Sequence, residues 1–449
     1  MSSGRLFAGL FAHGEAAAEV SDAALAEAMV EVEVGLLQAL ADLDLAPSEA
    51  ADEAAWALRS GRLVLDLDEL GRGTGEHGTP VPQLLRTLRL QLSDATAAHL
   101  HQGATSQDVI DTAIMLLARR ALDAIIVELS GAADAAAALA ERHRDAIVPG
   151  RTLLQQAIPV TFGLKAAAWL SGLDGVLAGC SAVRESELAV QFGGAVGTLA
   201  NLGERGLDVA AALARRLDLP APELPWHAVR LRPVRLAGAL GATLGMLGKI
   251  GRDVALLAQT EVAEVAEAGG EGRGGSSTMP HKRNPVGAIA LIACAQRAPG
   301  LVATMFAAMV QEHERAAGAW QAEWEALMEL LRLTGSSAHT ARELLVGLEV
   351  DPGKMRADMD ATGGLVMSES VAAALAVSIG RSEAQGVVEE AARRSVRSGR
   401  DFRDVLLEVP EVSEGLGPDR LDRALDPAGY LGVTTTLIDR ALEAHRGKR

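Results

Sequence analysis

Ser276, Ser277, Lys282 and Asn284 stand close together in the stretch Gly274-Gly-Ser-Ser-Thr-Met-Pro-His-Lys-Arg-Asn-Pro285. A serine held beside an ammonium gives up its proton more readily than a free one, because the positive charge stabilises the alkoxide. The stretch therefore suits taking or giving a proton at a carbon beside a substrate carboxylate. Leading into the serines, Gly269, Gly270, Gly272, Gly274 and Gly275 have no apolar residue among them. Such a run cannot pack, so it is expected to move, as loops that gate active sites do. Part of the pattern also has a plain structural use. Asn284-Pro285 would serve as N-cap and first residue of a helix, and Lys282 and Arg283 as solvated charges.

Two other stretches could bind anions. His101-Gln-Gly-Ala-Thr-Ser-Gln-Asp108 precedes a long helical periodicity. Thr105 and Ser106 are placed to cap that helix, and a helix N-terminus with hydroxyls also binds carboxylates. Gly150-Arg-Thr-Leu-Leu-Gln-Gln-Ala-Ile-Pro159 offers Arg151, whose guanidinium can fork onto a carboxylate, with Gln155 and Gln156 beside apolar residues. The alternative there is a satisfied buried polar cluster. Pro159 suits the first turn of a following helix. His101, His281 and His313 are possible proton carriers.

Helices must position these loops. Aromatic residues make up only 3% of the chain, while Ala and Leu abound, which favours helix over strand and points to an all-α fold. A hydrophobic share of 49% supports a large core. Ala24 to Leu43 reads as an amphipathic helix, and Gly71 to Pro82 as a loop. Ile110, Ile114, Leu117, Ala121, Ile125 and Leu129 recur at helical spacing, as do Leu240, Leu244, Leu247, Val254 and Leu257. The second set is interleaved with Gly238, Gly241, Gly245, Gly248 and Gly251, which suggests the close approach of another helix backbone. Helices this long bury their stripes best in a bundle, which usually oligomerises. Three regions follow: an N-terminal helical domain 1–105, a central long-helix bundle 106–347 with the loop 267–285, and a C-terminal helical domain 348–449 opened by the Asp351-Pro352-Gly353 turn.

A net charge of −17 with no long basic stripe argues against nucleic-acid binding, though a local basic pocket can still take an anion. Two cysteines, Cys180 and Cys294, are too few for a disulfide framework or a zinc site, and fit a reduced cytoplasmic setting. The longest uncharged apolar stretches, such as Leu236 to Leu247, are shorter than the roughly 20 residues a bilayer needs. Met1 to Phe11 lacks the pattern of a signal peptide. No membrane, metal or cofactor is expected as a partner.

Gly-Ser-Ser-Thr-Met-Pro-His-Lys-Arg-Asn-Pro resembles the signature of the fumarase/aspartase superfamily. Gly103 to Thr112 and Gly150 to Pro159 resemble its first and second conserved regions, and the likeness runs from about Leu6 into the C-terminal region. Within the superfamily the chain looks most like the carboxymuconate cycloisomerase branch. That rests on Thr105-Ser-Gln-Asp108, Pro159 to Lys165, Gln191 to Thr198 and His313 to Trp324. The resemblance implies a homotetramer around long central helices, with each site drawn from three subunits. It implies Ser276 as base, Lys282 as its partner, Asn284 as a carboxylate ligand, and Thr105 and Ser106 as carboxylate binders. Arg151, Gln155, Gln156 and Ser277 would complete the contacts to a small polycarboxylate.

Leu153 and Gln156 depart from the superfamily, whose members tend to carry a histidine at one position or the other, and Thr79 stands where Asn is frequent. Without that imidazole, leaving groups that need a proton are disfavoured. A carboxylate leaving group, as in lactone opening and closing, needs none. The expected activity is cycloisomerisation. The alternative is a fumarate-releasing lyase expelling an anion such as nitrite, with an adenylosuccinate lyase behind both.

Overall fold

The computed structural model describes residues 5–268, 279 and 282–448. Among them the chain forms twenty α-helices and only four short strands, so the fold is all-α. Five helices are long: Ser106–Arg142, Phe162–Ser186, Leu231–Leu257, Val286–Ala307 and Ala319–Val346. The first runs 37 residues, roughly 55 Å at the usual helical rise. Its expected stripe, Ile110 to Leu129, is buried throughout, and so are Leu240, Leu244, Leu247, Val254 and Leu257. Of the interleaved glycines, Gly248 and Gly241 meet the Val286–Ala307 helix. A Cβ on Gly248 would stand 2.3 Å from the Ala295 Cβ, and one on Gly241 2.7 Å from a Val302 methyl. A Cβ on Gly238 or Gly245 would meet nothing within 4 Å among the described residues.

The chain divides into two compact units. The first comprises Met1–Ser130, Gly175–Lys249 and Ala290–Thr340, and the second Gly131–Asp174, Ile250–Ile289 and Ala341–Arg449. In the first, the Asp22–Ala41 helix is capped by Ser21, whose hydroxyl accepts from the Ala24 N–H. Its Leu36, Ala39 and Leu40 pack with Val209, Ala212 and Leu213. In the second, Val371, Leu375, Val388, Phe402, Leu406 and Leu421 belong to a core of their own. There Asp351 caps the Pro352–Asp360 helix by accepting from the Lys354 N–H, so the Asp-Pro-Gly turn is also a helix start.

Three expectations fail. Gly71–His77 is helix, not loop. Asp66 caps it at the Asp68 and Glu69 N–H groups, and Gly73 lies where a Cβ would stand 2.6 Å from the Gln83 Cβ. Arg151 to Pro159 belongs to an antiparallel ribbon, β1 (Ile147–Thr152) with β2 (Gln155–Thr161), in which Pro159 faces Pro149 and the next helix waits until Phe162. Proline fits there because the outer edge of a two-stranded ribbon asks for no N–H donor. A second ribbon pairs β3 (Val265–Ala266) with β4 (Glu349–Val350). Lastly, Phe162–Ser186 and Val286–Ala307 are each long and apolar enough to cross a membrane by length and composition. Counting uncharged runs missed them because Lys165, Asp174 and Arg297 interrupt the runs. A buried bundle helix has the same character.

Candidate active site

In the first unit, the helix that starts at Ser106 turns Gln107, Asp108 and Asp111 inward. Asp108 gathers five donors from three chain segments. Its Oδ1 accepts from the Gly193 N–H at 3.0 Å and the Gln191 amide at 3.3 Å, and lies 2.7 Å from His227 Nε2. Its Oδ2 accepts from the N–H groups of Gly194 and Thr105, at 2.9 and 3.0 Å. A carboxylate only accepts, so His227 Nε2 carries the proton. The bond to Thr105 is half of a capping box, made by the third residue of the helix rather than by the cap. The Thr105 hydroxyl is thereby left to accept from the Arg315 guanidinium. Ser106 is half-buried at the first helical position.

Behind these residues Arg230, 2% exposed, bridges two buried carboxylates. It donates to Asp111 at 2.7 and 3.0 Å and to Glu323 at 2.7 to 3.1 Å, and its guanidinium lies 4.8 Å from the Trp226 ring centre. The Trp320 indole donates to Asp111, and the amides of Gln107 and Gln311 donate to Asp111 and Glu323. Burial works against the Arg230 charge, but Asp111 and Glu323 outweigh it and hold the group above the ordinary guanidinium range. One guanidinium cannot fully satisfy two carboxylates. Burial pushes the Glu323 carboxyl up, and Arg230 only partly opposes it.

His101, a possible proton carrier, has a left-handed backbone (φ 64°), and its Nδ1 lies 2.7 Å from Glu33, a fully buried carboxylate. Burial lowers its pKa, yet the hydrogen bond and charge of Glu33 raise it more, so the net shift is upward. His313 is exposed. The Thr79 hydroxyl is buried without a hydrogen-bond partner among the described residues.

The second unit holds the other candidates. Arg151 on β1 donates in fork fashion to Glu264 at 2.7 and 2.8 Å, so the carboxylate it meets belongs to the chain itself. Gln155 opens β2, exposed, and the Gln156 amide donates to the Asp358 carbonyl at 3.2 Å. Between the strands Leu153 and Leu154 form the turn, both left-handed (φ 50° and 66°) and 97% and 72% exposed. Neither is glycine or asparagine, so the turn is strained by roughly 1–2 kcal/mol per leucine.

Ser276, Ser277 and His281 lie outside the described residues. Lys282 is exposed, and Asn284 is half-buried just before the Val286–Ala307 helix. The cap of that helix comes from elsewhere. Glu267 accepts from the Gly287 and Ala288 N–H groups at 3.0 and 2.8 Å, and Arg283 donates to the Glu267 carbonyl and, at 2.9 Å, to Glu349 on β4. Thus Thr105 and Ser106 sit in the first unit, and Arg151, Gln155, Gln156, Lys282 and Asn284 in the second. Reading from sequence missed Asp108, His227, Arg230, Glu323, Glu264 and Glu267 as positioning groups. Usable signals existed for Asp108, which completes a Thr-x-x-Asp capping pattern with Thr105, and for Glu267, an acid three residues after Glu264 at the edge of the glycine run.

The family model described as lyase matches residues 15–300, and that of the adenylosuccinate lyase C-terminus matches residues 364–441. A 3-carboxy-cis,cis-muconate cycloisomerase of Pseudomonas aeruginosa is 46% identical over 444 residues, covering 98% of this chain and 96% of its own. A nitrosuccinate lyase of Streptomyces davaonensis is 43% identical over 437 residues, covering 95% and 91%. The crystal structure of 3-carboxy-cis,cis-muconate lactonizing enzyme from Pseudomonas putida matches with a TM-score of 0.91 at 40% identity, over 99% of both chains. Family model, near full-length relatives and fold agree: the chain belongs to the lyase family of the fumarase/aspartase superfamily.

Proposed function

We propose that this chain is a cycloisomerase that converts 3-carboxy-cis,cis-muconate to 4-carboxymuconolactone without a cofactor. One substrate carboxylate adds through oxygen to a double bond, and the carbon next to another carboxylate takes a proton from Ser276, which recovers it from solvent. In reverse, Ser276 takes that proton and the lactone carboxylate leaves as a stable anion. Lys282 stabilises the charge that builds up at the reacting centre. In the proposed tetramer, Asn284 and Ser277 of one subunit, Thr105 and Ser106 of a second and Gln155 and Gln156 of a third hold the substrate carboxylates, with Arg151 beside the last pair.

The observation that carries this reading is the hairpin. Its tip is two leucines, its Gln156 amide is turned to a backbone carbonyl, and its Arg151 is tied to Glu264. The hairpin presents no acid for a leaving group that needs a proton, and lactone chemistry asks for none. The curated relatives of that name support the choice. Purified protein is expected to bleach the ultraviolet absorbance of 3-carboxymuconate, and Ser276→Ala to leave it unchanged. A wild-type protein that does not bleach it sinks the assignment.

A second reading shares the same hairpin: nitrite also leaves as an anion, and a nitrosuccinate lyase is among the near full-length relatives. Fumarate formed from nitrosuccinate, with carboxymuconate untouched, would select it. A homotetramer in the cytoplasm belongs to the proposal, as does the division of the chain into segments 1–105, 106–347 and 348–449. Light scattering tests the first.

A further inference from the structure

The geometry points to Glu267 as a positioning residue for the proposed reaction, acting on the two ends of the 268–282 segment rather than on substrate. This rests on the reading of Lys282 and Asn284 as reaction and binding groups. At the leading end, Glu267 follows directly on β3, which is paired with β4. Three residues earlier the buried Glu264 is gripped by Arg151, and its carbonyl accepts from the Asp351 N–H at 3.0 Å. At the trailing end, both Glu267 carboxylate oxygens take the N–H groups of Gly287 and Ala288, each buried at the start of the Val286–Ala307 helix. Arg283 closes the arrangement, since it joins the Glu267 carbonyl to the Glu349 carboxylate on β4. One residue thus touches both ends.

Two details say the arrangement is built for this carboxylate. A Cβ on Gly287 would stand 3.2 and 3.3 Å from the two Glu267 oxygens and 3.2 Å from a Leu344 methyl, so glycine makes the room. And because Glu267 satisfies the helix N–H groups, the Asn284 side chain is not used as the cap that its place before Pro285 would suggest. Among the described residues nothing else takes its amide, which leaves it for a substrate carboxylate. Glu267 therefore sets where Lys282 and Asn284 stand and also frees Asn284 to bind.

The test compares Glu267→Gln and Glu267→Ala with the wild type in two readouts. Glutamine keeps one acceptor oxygen but sets an NH2 group against the other helix N–H. Amide exchange at Gly287 and Ala288 is expected to quicken by about fivefold, the equivalent of a lost cap, in both variants. Turnover is expected to fall about 10- to 100-fold, more in alanine than in glutamine, with KM within about threefold. Unchanged exchange at both amides overturns the proposal. Faster exchange with unchanged turnover overturns it too, since Glu267 would then cap a helix and nothing more. If the wild type fails on carboxymuconate, it is the proposed function that falls, and the turnover comparison moves to nitrosuccinate while the exchange readout stands as it is.

Discussion

Two helix N-termini carry candidate anion ligands, Thr105 and Ser106 before one helix and Lys282 and Asn284 before another, and they are held by different means. Behind Thr105 lies a knot of ions from three parts of the chain, with Arg230, Asp111 and Glu323 each no more than 3% exposed. Beside Lys282 the holding groups are at the surface: Arg283 and Glu349 are 47% and 55% exposed, and the strongest contacts are from Glu267 to backbone. A buried ion network is unforgiving, because removing one member leaves the others charged and unpaired. An exposed pair is screened and worth little to stability. The first helix end is therefore fixed by the fold, whereas the second is fixed by a few local bonds whose loss leaves the fold standing. Damage to the first should show in stability, and damage to the second in turnover.

The largest effect that could break this contrast is Arg230→Met. Leaving Asp111 and Glu323 without a counter-charge is expected to cost about 3–5 kcal/mol in urea unfolding. A loss below about 1 kcal/mol would mean that the knot does not hold the first end. Next comes the link between Glu33 and His101. The folded pKa of His101 is raised, so its bond to Glu33 stabilises fully below the unfolded value of about 6.5 and fades as pH rises through the folded value. Glu33→Gln is thus expected to cost about 1.5–3 kcal/mol near pH 5.5 and less in alkaline buffer. A gap that widens with pH would reverse the assignment. The smallest effect is Arg283→Ala, expected at under about 1 kcal/mol and shrinking further in high salt. A stability loss matching that of Arg230→Met would erase the distinction.

What the amino-acid order discloses follows the same division. The Ile110–Leu129 stripe was legible because a helix face repeats at short, fixed spacing. The serine stretch and the Thr105–Ser106 pair stand out as candidates for chemistry because their groups are neighbours in the chain. The knot was not legible, since Arg230 and Asp111 are 119 residues apart and neither position has a local pattern to mark it. The hairpin was hidden for another reason. Its turn is made by Leu153 and Leu154, residues that avoid the left-handed region, so the usual glycine or asparagine signal is missing. Gly73 misled in the opposite direction, being a contact between helices rather than a break. The Asn284-Pro285 pair pointed correctly to a helix start, but the cap is supplied from Glu267, 20 residues before Gly287.

The clasp of Glu267, Arg283 and Glu349 also bears on how this chain can change over generations. Glu267, Arg283 and Glu349 form a fixed mount for the chain on either side of residues 269–278. Closing a longer chain between two fixed points costs only about 0.6 kcal/mol more for each doubling of its length. Insertions and deletions there leave the mount, and with it Lys282 and Asn284, where they are. The length of that stretch can therefore vary, by descent or by design, without moving the points that hold it.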